Sequence, residues 1–122
     1  MKIENEKVAL KELNDELKKI MSVSEYQIGA YKFDTENRKL NFKTDSIKLT
    51  RKEAYLLCLF AANFNNFLDR RFILESIWKE DNYLNSRSMD VYICKLRKLL
   101  SKDKHINLIN FHGKGYKMIK SV

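Results

Sequence analysis

The sequence has no proline, three glycines, two cysteines and two histidines in 122 residues. Each scarcity excludes something. Without proline there is no polyproline segment, and three glycines do not make a flexible linker. Cys58 and Cys94 stand apart, with no CxxC spacing, so neither a zinc site nor a disulfide framework is expected. Reduced thiols in a cytoplasmic protein are the expectation. His105 and His112 lie too near each other to suggest a catalytic triad. The chain contains no HExxH, no P-loop and no GxSxG, so catalysis, metal and cofactor are not expected. No uncharged apolar run approaches the roughly 18 residues of a membrane span. Residues 1–10 alternate charge with apolar side chains instead of building a signal-peptide block. The length fits one domain with a short appendage.

What the sequence does have is positive charge, and it is placed unevenly. The net charge is +8. Residues 86–122 hold nine Lys and Arg against two acids, while residues 1–85 are nearly balanced. A polyanionic partner follows, nucleic acid ahead of a lipid surface.

The hydrophobic period changes along the chain. Ile3, Leu10, Leu13, Leu17 and Ile20 follow helical spacing, so residues 3–21 read as a helix, and 1–24 as a linker ahead of a domain over 25–122. Two readings of that helix stay open: a linker docking on this domain or on a receiver-like neighbour, or a weak dimerisation element. From Glu25 to Leu49 the period is two: Tyr26/Ile28, Tyr31/Phe33, Leu40/Phe42 and Ile47/Leu49 predict a small antiparallel sheet. Thr50-Arg51-Lys52-Glu53 is a capping box before an apolar helix, Ala54–Ala62, expected at the centre of the core. Asp69 is expected to cap a helix over Arg70–Lys79, with Phe72, Ile73, Ile77 and Trp78 inward. A loop, Glu80-Asp81-Asn82-Tyr83-Leu84, then leads to Asn85, expected to cap a third helix from Ser86 to about Ser101. Ile106–Phe111 and Tyr116–Ile119 flank His112-Gly113-Lys114-Gly115 as a hairpin. Sheet, three helices and hairpin make an α+β winged helix-turn-helix.

The third helix carries the functional expectation. At about 100° per residue, Met89, Ile93, Leu96 and Leu100 form a core stripe flanked by Tyr92 and Leu99. Opposite lie Arg87, Ser88, Val91, Cys94, Lys95 and Lys98, a face with three cations and no acid. Long cations there can reach phosphates or guanine edges, and Val91 is small enough to admit the helix to a major groove and touch a thymine methyl. Arg97 and Asp90 share the border of that face, seven residues and about two turns apart, so an ion pair between them would be long. Lys114 at the hairpin tip, with His112 and Lys117 beside it, supplies a second contact, straddling a phosphate backbone near the minor groove. The fold alone leaves RNA- and protein-binding alternatives open. RNA is disfavoured because nearly all the aromatics occupy core or sheet positions.

These blocks resemble the DNA-binding domain of the OmpR/PhoB family of two-component response regulators. The resemblance rests on Leu49-Thr50-x-Lys52-Glu53-x-x-Leu56-Leu57, Arg70 eight residues before Trp78, the run from Asn85 through Arg87-Ser88-x-Asp90-Val91-x-Ile93 and Leu96-Arg97-Lys98 to Leu100, and Gly113-x-Gly115-Tyr116. It covers about residues 26–120. It implies a four-stranded N-terminal sheet, a three-helix core, a C-terminal wing, and tandem binding of double-stranded DNA on direct repeats. It further implies DNA contacts at Arg87, Val91, Lys95 and Lys98 on the helix and at Asn110 and His112 in the wing. To these the reading of the residues adds Ser88, Arg97 and Lys114. The resemblance also implies RNA polymerase contact through Glu80–Leu84. The sequence departs from the pattern at His112, where many members have arginine, and at Arg71, where an acid is common. Residues 1–24 are too short for a receiver domain and show no phospho-acceptor pattern.

Overall fold

A computed structural model describes residues 15–121. Residues 15–22 are helical, and the earlier part of the expected N-terminal helix lies outside the described residues. The end of this segment packs on the domain: Ile20 is buried, Leu17 and Met21 lie against the core, and the Tyr26 hydroxyl donates to the Ile20 carbonyl at 2.6 Å.

The period-two region forms the expected antiparallel sheet, β1 (Glu25–Ile28), β2 (Tyr31–Asp34), β3 (Lys39–Phe42) and β4 (Asp45–Lys48), in sequence order. Its register sets Tyr26 opposite Phe33, Phe33 opposite Leu40 and Leu40 opposite Ile47. One face is therefore apolar, and Ile28, Tyr31, Phe33 and Leu40 are fully buried on it.

Helix α1 (Arg51–Ala62) begins with the capping box. Thr50 Oγ1 accepts from the Glu53 amide at 3.3 Å, and Glu53 Oε1 accepts from the Thr50 amide at 2.8 Å. Ala54 and Leu56–Phe60 are buried, and α1 touches β1 and the C-terminal half of the chain, so it is the central element of the core.

After α1 the structure adds a strand that the sequence does not signal, β5 (Phe67–Asp69). It pairs with the second hairpin strand, giving a three-stranded sheet in which that strand is central. Three residues with one inward side chain, Leu68, show no alternation to detect. Asp69 caps α2 (Arg70–Ile73) as expected, accepting from the Arg71 and Phe72 amides. The expected helix then departs from α geometry, running as a π turn over Leu74–Trp78 and stopping at Lys79 with φ +73°. The widened turn buries Leu74, Ser76, Ile77 and Trp78 together, and Ser76 returns its hydroxyl to the Phe72 carbonyl at 2.7 Å.

Helix α3 (Tyr83–Leu99) is followed by the hairpin strands β6 (Ile106–Asn110) and β7 (Gly115–Lys120). His112 and Gly113 both adopt positive φ, +43° and +75°, and the Lys114 amide closes the turn on the Phe111 carbonyl at 2.9 Å. Two consecutive positive φ values match the right-handed twist of the flanking strands. Gly115 is glycine for another reason: a Cβ there would stand 2.1 Å from the Leu68 carbonyl oxygen and 2.7 Å from the Phe67 ring. Its lack of a side chain is what lets β5 approach β7. Gly115→Ala is therefore expected to lower the unfolding free energy by about 3 kcal/mol, and Gly113→Ala, which meets open space but keeps a strained φ, by only about 1 kcal/mol. Equal losses in urea titrations of the two variants would contradict this division.

Candidate nucleic-acid interface

Helix α3 starts three residues earlier than its sequence signals suggest. The N-cap is Asn82, not Asn85: Asn82 Oδ1 accepts from the Asn85 amide at 2.9 Å, and Asn85 turns its own amide to the Glu80 carbonyl at 3.1 Å. Two asparagines three apart offer the same cap chemistry, and nothing local chooses between them. The expected Glu80–Leu84 loop is correspondingly shorter, since Tyr83 and Leu84 form the first turn of α3 and project from it, 72% and 77% exposed. The C-terminus falls at Leu99, two residues short of expectation.

The two sides of α3 separate largely as its periodicity demands. Met89, Ile93, Leu96 and Leu100 are buried, with Tyr92 and Leu99 half-buried beside them. Arg87, Val91, Cys94, Lys95 and Lys98 are exposed together. Arg87 lies 6.0 Å from the Tyr83 ring centroid, and Lys95 Nζ lies 4.8 Å from that of Tyr92. Ser88 does not join them. It is half-buried, and its Oγ accepts the Trp78 indole N–H at 3.2 Å. Cys94 is a free, exposed thiol, whereas burial pushes the Cys58 thiol up to about 12, which keeps it protonated and inert.

The Asp90–Arg97 pair suggested by the helix wheel does not form. Asp90 instead receives a fork from Arg70, Nη1 to Oδ1 at 2.8 Å and Nη2 to Oδ2 at 2.9 Å, and a third hydrogen bond from the Tyr116 hydroxyl at 2.7 Å. Arg70 also donates to the Ser86 carbonyl at 3.0 Å and to the Ser86 hydroxyl, while its backbone amide donates to the Lys114 carbonyl at 2.9 Å. One arginine thus joins α2, the start of α3 and the wing. Partial burial pushes the Asp90 carboxyl up, but the hydrogen bonds from Arg70 and Tyr116 and the charges of Arg70 and Arg87 outweigh it, and the group sits below its ordinary value.

Arg97 reaches the wing. Its Nε and Nη2 both donate to the Leu108 carbonyl, at 3.1 and 2.9 Å, and its guanidinium lies 6.0 Å from the Tyr116 ring centroid. Those bonds bind α3 to β6 and direct the guanidinium along the hairpin. Asn110, His112 and Lys114 are exposed at the hairpin end, and Phe67 and Phe111 meet edge to face beside them at 5.5 Å. The residues expected to touch DNA therefore lie on α3 and on the hairpin joined to its border. Arg70 and Tyr116 appear among the matching sequence blocks, but no spacing rule links them to Asp90, which lies 20 and 26 residues away.

Among the described residues no His, Cys, Asp or Glu cluster fits a metal ion, and no helix is long and apolar enough to cross a membrane.

Residues 44–118 match the family described as "Transcriptional regulatory protein, C terminal". The chain belongs to that family. Its fold is the winged helix of response-regulator DNA-binding domains, as the sequence blocks imply. It is 53% identical over 94 residues to the transcriptional regulatory protein RprY of Bacteroides fragilis (strain YCH46), covering 77% of this chain and 40% of RprY. It is 32% identical to the heme response regulator HssR of Staphylococcus saprophyticus over 78% of this chain and 43% of HssR. The chain spans about two fifths of the length of these relatives. Among solved structures, the DNA-binding domain of Bacillus subtilis CssR matches with TM-score 0.63 and 27% identity, over 72% of this chain and 98% of CssR's. The DNA-binding domain of E. coli CpxR shares the fold at TM-score 0.70 and 20% identity, over 80% of this chain and 98% of that one.

The Asp90 geometry sets a pH dependence. With its folded value depressed, Asp90 contributes stability that is fully present above the ordinary 3.8 and is lost as pH falls through the folded value. Asp90→Asn should lower the unfolding free energy by about 1–3 kcal/mol at neutral pH, and the gap to wild type should begin to narrow below about pH 4 and close only once the pH has passed the depressed folded value. A gap that stays constant from pH 7 to pH 3 in denaturant titrations would mean that the carboxylate charge is not what holds the joint.

Proposed function

We propose that this domain binds double-stranded DNA sequence-specifically, as the effector part of a bacterial transcription regulator of the response-regulator type. The observation that carries the reading is the exposed face of α3, where Arg87, Lys95 and Lys98 surround Val91 and Cys94, next to a wing locked to the same helix. The helix enters the major groove and the wing lies at the neighbouring minor groove. Arg87, Val91, Lys95 and Lys98 contact bases and phosphates, and Asn110, His112 and Lys114 contact the flanking backbone. Arg97 and Ser88 are reassigned: the first holds α3 to the wing, and the second supports Trp78. In this reading the chain is not an enzyme and works in the cytoplasm.

The wider assembly follows from the same reading. Copies bind in tandem on direct repeats, and a receiver domain in a two-component phosphorelay acts on this domain through the segment that includes residues 3–21. The docked Ile20 and the Tyr26 bond support a physical link between that segment and the domain. RNA polymerase is the proposed partner of residues 80–84. The exposure of Tyr83 and Leu84 supports a protein contact there, since large apolar side chains on a surface turn favour a partner.

Selection of bound duplexes from randomised DNA tests the reading directly. Recovered sites should carry a repeated element with a spacing of about one helical turn, and affinity should fall steeply with salt. Unenriched pools with a flat salt dependence would overturn it. Lys95→Ala should weaken binding to a selected site by about 1–3 kcal/mol and relax preference at one base position; an unchanged anisotropy titration would remove Lys95 from the contact set. Lys114→Ala should weaken selected and unrelated duplexes alike and reduce the salt slope by about one unit, and a loss confined to the selected site would contradict a backbone role.

A further inference from the structure

The side of α3 away from the wing carries its own arrangement. The Trp78 and Tyr92 rings meet edge to face, 5.9 Å between centroids at 66°. Lys52 Nζ from α1 sits 5.2 Å from the Trp78 centroid, and Lys95 Nζ sits 4.8 Å from that of Tyr92. Ser88 fixes the indole from α3. Two ammonium groups are thus held at the two ends of one aromatic pair.

What holds Lys52 matters. Arg70, Arg71 and Lys102 each have a carboxylate partner, Asp90, Glu75 and Asp45. Among the described residues Lys52 has none, and the neighbouring Glu53 carboxylate is engaged with the Thr50 amide. A ring orients an ammonium without cancelling its charge, so the cation stays available to an anion. Its place on the helix barrel is equally specific. With Met89 at 0°, Arg97 and Asp90 lie near 80–100° and reach the wing, whereas Ser88 and Tyr92 lie near 260–300° and reach Trp78. A helix in a major groove has one sugar–phosphate backbone on each side. The wing serves one of them, and Lys52 stands on the side of the other.

We propose that Lys52, set on the Trp78 ring, is a phosphate-contacting residue outside the recognition helix and the wing, gripping the DNA strand across the major groove from the wing. The inference rests on the DNA-binding reading above and adds a third point of attachment from α1. Such a contact positions the helix without reading sequence.

The test uses the whole chain, a short duplex recovered by selection and an unrelated duplex of equal length. Lys52→Gln should weaken both alike and lower the slope of log affinity against log salt by about one unit, while Lys52→Arg should restore the slope. Phosphate-ethylation interference should lose signals in Lys52→Gln that differ from those lost in Lys114→Ala and lie on the opposite border of the major groove. Trp78 is the single tryptophan, so its fluorescence should change on DNA binding in the wild type and much less in Lys52→Gln. An unaltered slope and unaltered interference pattern in a folded Lys52→Gln protein, with wild type still strongly salt-dependent, would overturn this inference alone. Wild type without salt-dependent binding would overturn the function on which it rests. If Lys52→Gln unfolds, Lys52→Arg, which keeps the charge and therefore the slope, supports the contact by shifting the interference signals on the border away from the wing, and an unshifted pattern with Trp78 fluorescence silent to DNA opposes it.

Discussion

The fork between Arg70 and Asp90 is the constraint on which the presentation of this domain depends. Three elements from separate parts of the chain have to meet for a winged helix to present its helix and hairpin together. α2, α3 and β7 contribute Arg70, Asp90 and Tyr116, and the planar guanidinium fixes distance and angle at once. A lysine in place of Arg70 would supply the charge but not the two parallel bonds. The backbone amide of the same residue holds the Lys114 carbonyl, so the hairpin is tied to α2 as well.

A second joint fixes the other end of α3. Asp103 sits just beyond it, and its two oxygens accept from the Ala30 amide at 2.8 Å and the His105 amide at 3.0 Å. Those two backbone hydrogen bonds hold its carboxyl below the ordinary range. The Tyr31 hydroxyl accepts from the Lys102 and Asp103 amides at 2.9 and 3.2 Å. Gly29 makes the approach feasible: its φ is +57°, and a Cβ would stand 2.5 Å from Asp103 Oδ2. The N-terminal sheet is thereby fastened to the C-terminal end of the helix, as the Arg70 joint fastens its start. The helix is held at both ends by hydrogen bonds and along its length by Met89, Ile93 and Leu96.

Local rules were sufficient where a residue's role depends on near neighbours. The capping box, the four alternating strands, the buried stripe of α3 and the exposed Arg87, Val91, Lys95 and Lys98 were all legible in the sequence. They depend on spacings of two to four residues and on solvation. Competing local signals misplaced the start of α3, because Asn82 and Asn85 both satisfy cap chemistry. Nothing local predicted β5, whose only reason to be extended is the partner strand β7. Likewise the wheel leaves room only for a long Asp90–Arg97 pair because it knows only one helix, whereas Arg70 and the Leu108 carbonyl compete for those side chains from elsewhere. The wheel places Ser88 on the groove face for the same reason, since the indole that claims it is carried by the π turn. The resemblance to a family placed the blocks correctly but did not say why Arg70 or Gly115 is needed.

The charges of the candidate interface follow from the same joint. Asp90 lies at the edge of a basic face and is 49% exposed. An unpaired carboxylate there would repel a phosphate or demand a counterion of its own. By accepting from Arg70 and Tyr116 it is neutralised mainly from within the protein, with Arg87 adding the smallest pull, and Lys95 and Lys98 keep their field. The acid therefore does structural work without subtracting from the surface that faces DNA. Its partner is chosen to match: Arg70 is partly buried and spends its charge inward, while the cations that point outward have aromatic rings, or solvent, as neighbours. Charges that hold the domain together and charges left available to a polyanion are thus carried by different residues, and that separation lets a single short helix be both the centre of the fold's C-terminal half and its proposed reading surface.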